Sequence, residues 1–197
     1  CYSYHQGTDS QLLKQVIDDC TSQSISHCLI YLCEYDAFGH AHADNDSLMV
    51  SKANDYGRAL FRLYSKLKEY YSQVEMTVCS DHGMVPLEKT VDINGMLKSH
   101  TSLQGSAFKV ILDSSMARFY APDLHVQNDI TIALEGAPGR FLSPEELTKY
   151  HIDFDGKYGN LYFLLDAGVQ ISPSNMGRVP CKGMHGYSPE HPKMKAV

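Results

Sequence analysis

The chain has 197 residues, enough for one domain with a real core, and 43% apolar and 20% charged residues place it among ordinary globular proteins. A formal net charge of -6, with Lys and Arg scattered, argues against a binder of nucleic-acid duplexes. No run approaches the roughly 18 apolar residues that a spanning helix needs; no signal peptide is visible, and the chain opens on Cys1 rather than Met, so its start is a poor guide to targeting. The six cysteines form no CxxC pair and read as buried free thiols, which weakly favours a reducing setting. Cytoplasmic, periplasmic and secreted locations all stay open.

In chain order, residues 9–20 carry Leu12, Leu13, Val16, Ile17 and Cys20 at helical spacing, with Asp9 or Ser10 as the cap. Residues 27–34 (HCLIYLCE) are nearly all apolar and predict a buried strand of a parallel sheet. A long helix is expected from about Ser47 to Tyr71, with Met49, Ala53, Tyr56, Leu60, Leu63, Leu67 and Tyr71 on one face. Residues 74–80 (VEMTVCS) predict a second strand, which completes a βαβ unit. The stretch from about 88 to 180 is less regular. It predicts a helix near 92–98, strands at 107–112, 116–121 and 161–165, and a helix start at Ser143-Pro144-Glu145-Glu146. Gly and Pro are frequent from 136 to 192, so loops are expected to dominate there.

Two polar clusters follow the two predicted parallel strands, where open α/β sheets place their ligands. The first is Asp36-Ala37-Phe38-Gly39-His40, in which Asp36 and His40 are aimed together on a helix turn or a tight loop. The second is Ser80-Asp81-His82-Gly83-Met84, where Gly83 lets the backbone bend and turn both polar side chains inward. A third histidine, His185, lies between glycines in Lys182-Gly183-Met184-His185-Gly186-Tyr187. Carboxylate and imidazole together suit zinc or a similar divalent ion such as manganese. Each histidine alone is more plausibly a polar loop residue; it is the combination that points to a metal site.

These three stretches, in this order and separation, resemble the alkaline phosphatase superfamily, and specifically its type I phosphodiesterase/nucleotide pyrophosphatase branch. The resemblance covers essentially the whole chain. It implies an α/β fold, a three-layer α/β/α sandwich with a mainly parallel sheet, present here in part, with residues 1–197 forming one partial catalytic domain. It also implies two zinc ions: Asp36, His40 and His185 would hold one, and Asp81 and His82 would help hold the other. The family's Thr or Ser nucleophile and a further Asp ligand are expected upstream. Thr8, only 28 residues before Asp36, lies too close to the first motif to be that nucleophile.

The implied reaction is hydrolysis of a phosphodiester or nucleotide pyrophosphate bond through a covalent intermediate on the upstream hydroxyl. Its substrate would be a small phosphate ester or nucleotide. Residues 1–197 alone are expected to be inactive. Two alternatives stay open. One is a phosphonate, phosphate-monoester or sulfate-ester hydrolase of the same superfamily; the other is a non-catalytic fragment or pseudoenzyme with a binding role. Nothing here bears on the oligomeric state.

Overall fold

A computed structural model describes residues 7–152 and 156–196. They divide into two compact units, one ending at Ser80 and one spanning Asp81–Ala196. The division falls inside the second polar motif, not at the edge of the irregular stretch.

The first unit is helical. Helix α1 (Asp9–Ser22) turns Leu13, Val16 and Cys20 inward at three-to-four spacing. Its cap is Thr8, not Asp9 or Ser10. The Thr8 hydroxyl accepts the Gln11 N–H, and the Gln11 side chain returns a bond to the Thr8 N–H, a closed capping box. Helix α2 (Glu34–His42) and helix α3 (Asp46–Leu67) follow, and Asn45 caps the latter by accepting the Leu48 N–H. Leu63 packs with Leu13, Val16 and Cys20, and Leu60, Leu67 and Tyr71 close around them. Gly57 sits on the exposed side with nothing within 4 Å, so this long helix carries it without a packing role.

Neither segment expected as a strand in this unit joins a named ladder. Residues 27–33 show a single bridge assignment at Ile30, and residues 72–80 show none. A strand exists only through hydrogen bonds to a neighbour, and apolar runs cannot supply that neighbour themselves. The two-residue period survives in the burial of the first run, however. Ile30 and Leu32 pack on the helical cluster, whereas Leu29 and Tyr31 are exposed; in the second run Met76 packs there, but Val78, on the same strand face, is exposed.

The second unit is built on sheets. Strand β1 (Val85–Pro86) leads to β2 (Lys89–Val91), helix α4 (Ile93–Ser99), β3 (Lys109–Leu112) and β4 (Met116–Tyr120). Helix α5 (Leu124–Ala133), β5 (Gly139–Phe141), helix α6 (Pro144–Lys149), β6 (Leu161–Leu165), β7 (Val169–Ile171) and β8 (Gly183–Met184) complete it. The order β3-β4-β6-β5 makes a four-stranded antiparallel sheet. Strands β2 and β7 form a parallel pair, and β1 pairs antiparallel with β8.

Ala117, Phe119, Phe163 and Leu165 turn inward from the sheet and meet Ile93 and Leu97 of α4 and Ile130 and Ala133 of α5. The predicted strands near 109, 116 and 161 and the helices at 93 and 144 all form, and Ser143 makes the expected capping box with Glu146. Helix α5 was not predicted; its β-branched residues obscure its pattern, although Asp123 caps it and Val126, Ile130 and Ala133 keep helical spacing. The expectation of loops after 136 gives way to four short strands and α6.

Cys20, Cys28, Cys33, Cys79 and Cys181 are free, but only Cys20 is buried, which corrects the reading of all of them as core thiols. Among the described residues, no helix is long and apolar enough to cross a membrane.

Candidate metal centre

Asp36 and His40 lie one turn apart on α2. Their spacing of four brings the Asp36 Oδ2 to 3.5 Å from the His40 Nε2, which settles the choice between helix turn and loop in favour of the helix. Both side chains are partly exposed, at 40% for Asp36 and 26% for His40, so an ion could reach them. Gly39 between them is buried. His42, two residues on, packs against Phe38 with ring centroids 4.4 Å apart and planes tilted by 41°.

In the second unit, the β1–β8 pairing sets the other two motifs side by side. Val85 lies opposite Met184 and Pro86 opposite Gly183, so the residues just before β1 and just after β8 meet. The His82 and His185 rings stack there, with centroids 3.7 Å apart and planes 17° off parallel. The His82 Nδ1 lies 2.9 Å from the Gly83 carbonyl. A carbonyl can only accept, so this nitrogen carries the proton, and in the neutral ring Nε2 is the one with the lone pair. That nitrogen faces the Asp81 carboxylate at 3.6 Å. A histidine ligand held by a backbone carbonyl on its far nitrogen is the usual arrangement in metal sites.

The loops themselves are held by close backbone approach. A Cβ on Gly83 would lie 2.0 Å from the Lys193 carbonyl oxygen, and the Gly83 N–H donates to the Met194 carbonyl at 3.2 Å. Gly186 has a φ of +82°, and the hydroxyl of Ser115 donates to its carbonyl at 3.0 Å. Gln170, also buried, accepts the Cys181 N–H at 3.1 Å. Tyr187 donates to the Val169 carbonyl at 2.8 Å, and its burial raises its pKa above the ordinary tyrosine range. Sequence reasoning missed Ser115 and Gln170, because a buried polar residue in a sheet strand or its turn leaves no local pattern. His191, by contrast, caps the short turn at Pro192–Met194 by accepting the Lys193 N–H.

The donor types suit divalent metal ions: a carboxylate and an imidazole one helical turn apart in the first unit, and the Asp81 carboxylate beside the His82 imidazole in the second.

The α/β fold of this chain has solved counterparts. It is similar to murine ectonucleotide pyrophosphatase/phosphodiesterase 5, with a TM-score of 0.77 and 22% identity over 98% of this chain and 52% of that one. The human counterpart gives a TM-score of 0.74 and 21% identity, with the same two shares. Phosphonoacetate hydrolase from Sinorhizobium meliloti 1021 gives a TM-score of 0.64 and 18% identity, over 95% of this chain and 49% of that one. At such identities the likeness shows the fold, and the chain spans about half the length of these proteins.

The particular family follows from the sequence match. Residues 2–188 match the type I phosphodiesterase / nucleotide pyrophosphatase family, and the chain belongs to it. No curated protein matches.

Proposed function

We propose that this chain supplies metal ligands to a hydrolase of phosphodiester or nucleotide pyrophosphate bonds. Asp36, His40 and His185 would hold one zinc ion, and Asp81 and His82 would contribute to a second. The observation that carries this reading is the Asp36–His40 pair, one turn apart on α2, in a chain whose family match runs through all three motifs. The orientation of His82 supports the second set, because with Nδ1 turned to the Gly83 carbonyl, Nε2 is the nitrogen available to an ion in the neutral ring.

The ions, when bound, supply Lewis-acid stabilisation of charge on the phosphoryl oxygens and activation of a hydroxyl nucleophile. The chain's own residues orient the donors. Gly83 and Gly186 let the loops close, and Ser115 and Gln170 hold the stretch around His185. No residue of this chain is assigned as nucleophile. The Thr8 hydroxyl caps α1.

A nucleotide substrate is supported by the murine relative, an inactive variant of which was solved in complex with AMP. A second reading, cleavage of a phosphonate, is supported by the likeness to phosphonoacetate hydrolase.

The test is a zinc titration by chelator competition, followed by calorimetric binding of AMP and of phosphonoacetate to the zinc-loaded protein. His40→Ala and His185→Ala are expected to weaken zinc binding about tenfold or more, by the loss of a ligand. AMP is expected to bind the loaded protein in preference to phosphonoacetate. Unchanged zinc affinity in both variants would sink the metal assignment, and preference for phosphonoacetate would favour the second reading.

A further inference from the structure

Helix α2 carries the first ligand pair, yet its own cap residue, Cys33, makes no side-chain cap bond. The cap comes from elsewhere. The backbone N–H groups of Cys33 and Glu34 donate to the Asp9 carboxylate, at 3.4 and 3.0 Å. Asp9 is the first residue of α1 and is only 3% exposed. In return the Glu34 Oε1 accepts the Asp9 N–H at 2.9 Å. Two helices thus cap each other's first turn across 25 residues of chain.

Helix α3 closes the arrangement from its own side. The Tyr56 hydroxyl donates to the Asp9 Oδ2. Lys52 lies 3.6 Å from the Glu34 Oε2 and 5.6 Å from the centre of the Phe38 ring.

Burying a carboxylate is costly unless directed hydrogen bonds satisfy it, and apolar packing would serve stability at least as well. What the carboxylate provides is direction. Its bonds converge on the first turn of a nine-residue helix, two to three residues before Asp36. They fix the helix along its axis and in rotation, and so fix where Asp36 and His40 point. Negative charge at this end also suits the helix dipole.

We propose that Asp9, held by Tyr56, is a positioning residue for the metal-ligand pair Asp36 and His40. The proposal rests on the metal assignment above. Asp9 itself does not touch the ion; it acts through α2.

The experiment measures zinc affinity by chelator competition for the protein and for Asp9→Asn, Tyr56→Phe, His40→Ala and the double variant Asp9→Asn/His40→Ala. Folding is followed by far-UV circular dichroism, and the visible absorption of the cobalt-loaded protein is recorded. Asp9→Asn is expected to weaken zinc about ten- to hundredfold, as loss of a supporting partner typically does, and to shift the cobalt band. Tyr56→Phe is expected to act in the same direction and less. In the His40→Ala background, Asp9→Asn is expected to weaken zinc severalfold less than in the parent, because of the two ligands it positions only Asp36 remains.

Equal weakening in both backgrounds overturns the proposal, since it marks a general loss of structure. So does wild-type affinity in Asp9→Asn while His40→Ala loses zinc. If His40→Ala itself keeps full affinity, the metal assignment fails and this inference with it. Should Asp9→Asn not fold, Tyr56→Phe, which removes one hydroxyl, decides by the same cycle.

Discussion

The two units reach order by different means. The unit over Asp81–Ala196 surrounds its apolar residues with sheet and helix, so that Phe119, Ile130 and Ile171 are wholly buried and Phe141 meets Phe163 edge to face at 4.9 Å. The unit ending at Ser80 has a small cluster around Val16 and Leu63 and leaves Leu29, Tyr31 and Val78 exposed. What it lacks in apolar burial it replaces with directed polar contacts: Asp9 to the start of α2, and the Tyr71 hydroxyl to the Cys20 carbonyl at 2.6 Å. The lesson is that hydrogen bonds, rather than volume, can fix a helix such as α2, with its Asp36–His40 pair, on a weakly packed unit.

The largest effect that would sharpen this contrast is in the cores. Phe119→Ala is expected to cost about 3–5 kcal/mol, and Leu63→Ala about 2–3, because the half-buried Ile30, Leu32 and Met76 beside Leu63 can close part of the gap. Urea denaturation followed by circular dichroism measures both, and a larger cost at Leu63 would reverse the ranking. Gly186→Ala comes next, at about 1–2 kcal/mol, since the position has a φ of +82° and the new Cβ would meet the Ser115 hydroxyl at 2.7 Å. Its melting temperature should fall, and its zinc affinity with it.

A pH series separates Tyr56 and Tyr187 from the rest. Burial first, and the bond to Asp9 second, raise the Tyr56 pKa well above its ordinary value, and burial does the same for Tyr187. In the unfolded chain tyrosine ionises near pH 10, while in the fold these two stay protonated. Their contribution is therefore complete below about pH 10 and is lost as pH rises toward the folded values. Tyr56→Phe and Tyr187→Phe should each flatten the fall in stability above pH 10; an unchanged slope in both would break the assignment.

The smallest effect is expected on the outer face of the first unit. Leu29→Ser and Val78→Thr should stay within about 0.5 kcal/mol of the parent, as exposed substitutions usually do. A loss of several kcal/mol would mean that this face is covered in solution.

Much of this was legible in the residues themselves. The stripe Leu60, Leu63, Leu67 announced α3, and Ser143 with Glu146 announced α6, because helix signals are local. The runs at 27–34 and 74–80 announced strands that form no ladder; in the first the period is right, with Ile30 and Leu32 alternating with Leu29 and Tyr31, yet a ladder needs a partner that no local pattern reveals. The polar motifs were visible as residue types and spacing, and the Asp36–His40 approach followed from the helical turn. The support behind them was not visible. Asp9 looked like a cap for its own helix, and nothing near residue 9 in the sequence points to Glu34.

The close approach of Gly83 to the backbone at Lys193 and Met194 has a consequence in time. Its partners lie 110 residues further along the chain, and the pairing of β1 with β8 spans nearly as far. A ribosome delivers the chain from the amino end, so the Asp81–His82 loop emerges long before the segment that closes it. Contacts of such separation form late. The helical pair Asp36 and His40 can be in place early, whereas the loop holding the stacked histidines takes its final shape only when the last residues of this stretch have been made.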